Sequence, residues 1–80
     1  MVKEFPRHIA WTEVMKEGYN FVGLVEYQRR APCSMVHTLW VLGPEFHDKD
    51  DAELAATSML ENIREITESG DVIYSDGVAL

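Results

Sequence analysis

Between Ile9 and Val41 the chain holds β-branched and aromatic runs whose apolar residues fall at both odd and even positions, and only one later stretch, near Asp51 to Ser69, has a helical period. A strand with one solvated face alternates apolar with polar residues, whereas a strand that is apolar throughout is shielded on both sides. One helix covers one side of a sheet. The pattern therefore predicts an apolar face that the helix does not cover, and such a face marks a binding surface.

Ile9 to Met15 leads into Lys16-Glu17-Gly18, which suits a three-residue hairpin loop with its glycine in the left-handed conformation. In that register Met15 opposes Tyr19, Glu13 opposes Phe21, Trp11 opposes Gly23 and Ile9 opposes Val25. A short helix over 9–17, ended by Gly18, is the competing reading. The second strand runs from Tyr19 to Gln28 and the third from Met35 to Leu42, with a loop holding Pro32 between them and Gly43-Pro44 after them. Asp50 with Glu53 reads as a capping box, so the helix begins near Asp51 and ends before Gly70. It buries Ala52, Ala55, Ala56, Met59, Leu60, Ile63, Ile66 and Thr67. Val72-Ile73-Tyr74 adds a short final strand. The order β-β-β-α, with that strand, predicts a single α+β domain over residues 1–80: a three- to four-stranded antiparallel sheet with one long helix across one face.

In the expected register one face carries Ile9, Trp11, Met15, Tyr19, Phe21, Val25 and Tyr27, continued by Val36, Trp40 and Leu42. The other carries Ala10, Val14, Val22 and Leu24, continued by Met35, Leu39 and Val41. Trp11, Met15, Tyr19, Phe21, Tyr27 and Trp40 form the candidate protein interface, because aromatic residues and methionine are enriched where proteins meet. The segments around Phe5 and Val78-Ala79-Leu80 compete as its cover. A chain of 80 residues is near the size at which one core supplies only about 3–5 kcal/mol. Cys33 is the single cysteine, so no internal disulfide adds to that. A homodimer stacked sheet to sheet is the expected remedy.

The net charge of −7 is unevenly spread. Up to residue 45, Lys3, Arg7, Lys16, Arg29 and Arg30 balance Glu4, Glu13, Glu17, Glu26 and Glu45; beyond it, Lys49 and Arg64 face an excess of acids. On the expected helix Asp50, Glu53, Glu61, Glu65 and Glu68 share a stripe around Leu54. Glu53, Leu54, Glu61, Glu65 and Glu68 thus form a candidate acidic surface for a basic partner, as in a small phage or mobile-element regulator docking on a nucleic-acid-handling protein. Base stacking on the sheet aromatics, with Arg29-Arg30 holding phosphates, is the third class. The overall charge opposes it.

No motif points to chemistry. Cys33, His37 and His47 are the only approach to a metal set, and on a strand Cys33 and His37 lie about 13 Å apart. There is no CxxC or HExxH pattern, no glycine-rich phosphate loop and no carboxylate pair with a reason to share a pocket. The chain reads as a non-enzymatic interaction domain without metal or cofactor. It has no apolar run long enough to span a membrane and no secretory h-region, and its lone cysteine suits a reducing compartment, so the expected location is cytoplasmic.

Overall fold

The computed structural model describes residues 1–41 and 45–75. Its strands and helix run in the order β1 (Val2–Glu4), β2 (His8–Glu17), β3 (Asn20–Arg29), β4 (Val36–Trp40), α1 (Lys49–Glu61), β5 (Ile63–Ile66) and β6 (Val72–Tyr74). The fold is α+β. Strands β1-β2-β3-β4 form an antiparallel sheet in chain order, and β5-β6 form a separate antiparallel pair. Residues 9–17 are strand, not helix.

The segment around Phe5 does not fold back over the sheet; it widens it. Lys3 pairs with Ala10 and Glu4 with Ile9. Pro6 opens the intervening turn, where its ring presets φ, and the Phe5 N–H donates to the His8 carbonyl at 2.8 Å. Arg30 fastens that turn from the far end of β3: its Nε donates to the carbonyls of Phe5 and His8 at 3.1 and 3.3 Å. Val78-Ala79-Leu80 and Leu42, Gly43 and Pro44 lie outside the described residues.

The β2–β3 register differs from the one expected. Met15 pairs with Val22 rather than Tyr19, and Trp11 with Glu26 rather than Gly23. Glu17 opposes Asn20, leaving a two-residue loop, Gly18-Tyr19. Gly18 has φ +61° at the first loop position, as a type II′ hairpin turn requires. A slip by an odd number of residues moves every β3 side chain to the opposite face relative to β2. Consequently Val14, and not Trp11, opposes Gly23.

One face of the sheet is closed by α1 and by the β5-β6 pair. Ala52, Ala56 and Leu60 of the helix are fully buried, as are Ala10 and Val25 of the sheet. Phe5, Tyr27, Ile63, Ile66 and Val72 complete this core. Each such Leu, Ile, Val or Phe side chain contributes about 1.5–3 kcal/mol through removal from water.

The helix is shorter than the expected 51–69 and starts earlier. Asp48 is its N-cap, accepting from the Asp50 N–H at 2.8 Å, so Asp50 lies inside the first turn. It ends at Asn62, whose N–H is shared between the carbonyls of Ser58 and Met59. Beyond Asn62 the chain turns into β5, and Gly70 (φ +92°) belongs to a hairpin loop rather than to a helix end. There the Gly70 N–H donates to the Thr67 carbonyl at 2.9 Å and the Thr67 N–H to the Asp71 carbonyl at 2.8 Å. This is a three-residue hairpin loop with glycine in its last position.

The C-terminal end of α1 contains no basic residue of its own. Lys3 of β1 supplies the charge: its Nζ lies 3.5, 3.3 and 2.7 Å from the carbonyls of Leu60, Glu61 and Ile63. An ammonium there satisfies orphan carbonyls and complements the helix dipole.

Candidate protein-binding face

The pairing pattern assigns every sheet residue to a side. On the covered side lie Lys3, His8, Ala10, Thr12, Val14, Lys16, Phe21, Gly23, Val25, Tyr27, Arg29, His37 and Leu39. On the open side lie Val2, Glu4, Ile9, Trp11, Glu13, Met15, Glu17, Asn20, Val22, Leu24, Glu26, Gln28, Val36, Thr38 and Trp40. Every lysine and arginine of β1–β4 is on the covered side.

Leu24 is the centre of the open side. Its direct neighbours are Glu13 on β2 and Trp40 on β4, and Trp11 and Met15 are its diagonal neighbours. Although no helix lies over it, Leu24 is only 4% exposed. Side chains near it remain accessible, with Met15 50% and Trp40 49% exposed. Val2 and Val36, also exposed, extend the apolar surface towards both edges.

Carboxylates frame this surface. Glu13 and Glu17 are exposed and Glu26 is half-buried beside Trp11. Glu4 is the one among them with a described basic partner, Arg30, at 3.0 Å. The open face therefore interleaves apolar side chains with carboxylates, Glu13 and Glu26 both adjoining Leu24.

Trp11, Met15 and Trp40 share this face, as expected, but Tyr19, Phe21 and Tyr27 do not. Tyr19 occupies the β2–β3 turn and is 93% exposed. Phe21 is on the covered side at the sheet end, bridged to Phe46. Tyr27 is in the core, where its hydroxyl donates to the Gly70 carbonyl at 3.3 Å and its ring stacks on His37 at 5.1 Å. Burial, and then Asp71, push the Tyr27 hydroxyl pKa up. The odd-residue register shift accounts for Phe21 and Tyr27. In exchange it brings Val22 and Leu24 to the open side.

The acidic stripe is not assembled as a helix face. Glu65 is on β5 and Glu68 in the β5–β6 loop, since the helix ends before either. Glu68 ties that loop to the sheet: Arg7 Nη1 lies 2.6 Å from its carboxylate and Arg29 Nη1 donates to its carbonyl at 3.2 Å. Glu53 accepts from the Thr12 hydroxyl at 2.7 Å, joining helix to sheet. Leu54 and Glu61 remain exposed on α1.

Among the described residues, no cluster of three His, Cys, Asp or Glu side chains is placed to hold a metal ion. Cys33 is exposed at a positive φ in the β3–β4 loop, while His37 packs on Tyr27. Nor is any described helix long and apolar enough to cross a membrane. The chain matches no family model, no curated protein and no solved structure.

Proposed function

We propose that this chain is a non-enzymatic protein-binding domain, acting in the cytoplasm, whose open sheet face seats an apolar surface bordered by lysine or arginine. The observation that carries this reading is the arrangement around Leu24: Trp11, Met15 and Trp40 about a nearly closed leucine, with Glu13 and Glu26 beside them and every lysine and arginine of β1–β4 on the opposite side. Exposed aromatic residues around a dry centre supply affinity. The carboxylates supply orientation and selection for a cationic partner.

Two copies stacked on this face would bring Glu13 and Glu26 of each against the same carboxylates of the other, with no strand base on that side to neutralise them. A foreign basic protein fits better. The same carboxylates oppose a phosphate backbone, and Tyr27, one of the aromatics expected to stack bases, lies in the core.

The test is capture of partners from the source cell by the wild-type chain and by single variants. Met15→Lys and Glu13→Lys, both exposed on β2, should abolish capture without altering the far-ultraviolet spectrum, and the wild-type complex should weaken as salt rises. If Leu54→Lys or Glu61→Lys abolishes capture while the β2 variants bind normally, the helix side is the docking surface and this reading is wrong.

A further inference from the structure

Beyond its faces, the sheet has edges. β1, at one edge, is three residues long and carries Lys3 and Glu4, both features that discourage strand addition. β4, at the other, is different. From Met35 to Val41 it contains no charged residue, no proline and no glycine, and Val36, His37, Thr38 and Trp40 are all exposed. None of the usual protections of an edge strand is present within it.

The direction of its backbone groups follows from one hydrogen bond. The Val41 N–H donates to the Gly23 carbonyl at 3.0 Å, and Val25 opposes Leu39 and Tyr27 opposes His37. Because inward and outward groups alternate along an antiparallel strand, His37 and Leu39 also point their N–H and C=O groups at β3. Those of Val36, Thr38 and Trp40 point outward and have no partner among the described residues.

We infer that β4 pairs antiparallel with β4 of a second copy about a two-fold axis at Thr38, joining two four-stranded sheets into one. Thr38 then pairs with its own counterpart, and Val36 with Trp40 of the other copy on either side. All of these are outward-facing residues, so the ladder closes with on the order of six hydrogen bonds, two for each hydrogen-bonded pair. Shifting the register by one residue would set outward groups against inward ones, and shifting it by two would leave one of the three outward residues of β4 without a partner in the strand, so the Thr38 axis makes the most of the edge. Val36, Thr38 and Trp40 lie on the open side. The pairing therefore places each Trp40 against a valine across the join and carries the apolar strip from one copy into the next, with no carboxylate in the joint. A second copy is the occupant that the strand suits, because a two-fold pairing needs a segment complementary to itself and free of like charge. This pairing uses backbone groups and stands independently of what the open face binds.

The experiment is amide hydrogen exchange on the full chain at low and high concentration, alongside light scattering. The expected mass is twice 9.1 kDa at high concentration. Exchange at Val36, Thr38 and Trp40 should slow by at least about tenfold as the dimer forms, while His37 and Leu39 stay protected throughout. Thr38→Lys, which sets like charges together at the axis, should return the mass to that of a monomer, whereas Met15→Lys on the open face should not. A monomer at every concentration, or a dimer in which Val36, Thr38 and Trp40 exchange freely, overturns the inference. So does a dimer broken by Met15→Lys and untouched by Thr38→Lys.

Discussion

Gly23 and Ala52 are in closer contact than any residue with a side chain would permit: a Cβ built on Gly23 falls 2.5 Å from the Ala52 carbonyl oxygen and 3.3 Å from Cβ of Ala56. The contact places the axis of α1 against the middle of the sheet. Ala52 and Ala56 are both fully buried against it, so small residues on both layers set the spacing between them. With the helix seated there, Leu60 at its end reaches the core that Ile63, Ile66 and Val72 complete. A helix of 13 residues and a short hairpin together close one side of the sheet, and no other described helix or strand lies over the opposite side.

Gly23→Ala should destabilise the fold by about 1–3 kcal/mol, as expected for overpacking against backbone that has no alternative rotamer. Denaturant unfolding followed by tryptophan fluorescence measures this. If Gly23→Ala unfolds at the wild-type midpoint, the layers are not this close.

Lys3 is the second point of attachment between sheet and helix. Lys3→Met keeps an apolar stem beside Phe5 and removes the ammonium from three carbonyls. The expected loss is about 1.5–3 kcal/mol, the range for a hydrogen bond involving a charged group. Thermal melts should show it at low and high salt alike, because much of the loss is hydrogen bonding rather than long-range attraction. An unchanged melting temperature would mean that water serves those carbonyls equally well.

His8 confers a pH dependence whose sign is fixed by its surroundings. It is 3% exposed, its Nδ1 has no hydrogen-bond partner, and its ring meets Tyr27 edge-on at 6.2 Å. Burial, then Arg29, then His37 lower its pKa below the ordinary 6.5. The unfolded chain therefore binds a proton more readily than the folded one, and stability is lost as pH falls through the unfolded value towards the folded one. Melting temperature should drop between about pH 7 and pH 5, and His8→Phe should flatten that slope while leaving stability at pH 8 equal or higher. An identical slope in the variant would assign the dependence to other groups.

The sheet, the helix and its small buried residues were legible in the sequence, because long periodic runs dominate their own local structure. Ala52, Ala56 and Leu60 are buried as the helical period implies. Two devices were not legible in this way. Lys16-Glu17-Gly18 and Gly18-Tyr19 both offer a glycine to a hairpin, and the choice between them moves β3 by an odd number of residues; Phe21 and Tyr27 left the candidate interface for that reason, and Leu24 entered it. Ile63 and Ile66 imitate a helix, since residues three apart share a helical face but lie on opposite sides of a regular strand. The register irregularity between Ile63 and Glu65 restores them to one side, and both are buried. Their β-branched character, with Ser69-Gly70-Asp71 following, was the signal available for a hairpin.

That ambiguity yields a prediction in which the sign alone decides. Glu65 is exposed on β5 opposite Ile73, and its nearest basic group, Arg64, is 4.0 Å away on the surface, a separation that contributes little. In a helix, Glu65→Thr would cost about half a kcal/mol, because a β-branched side chain loses rotamer freedom against the preceding turn. In a strand the same branching packs against the cross-strand neighbour, and the gain is a few tenths to about 1 kcal/mol. Glu65→Thr should therefore raise the denaturation midpoint and leave the helical circular-dichroism signal unchanged. A lower midpoint with a weaker helical signal would return residues 62–69 to the helix, and with them Glu65 and Glu68 to the acidic stripe.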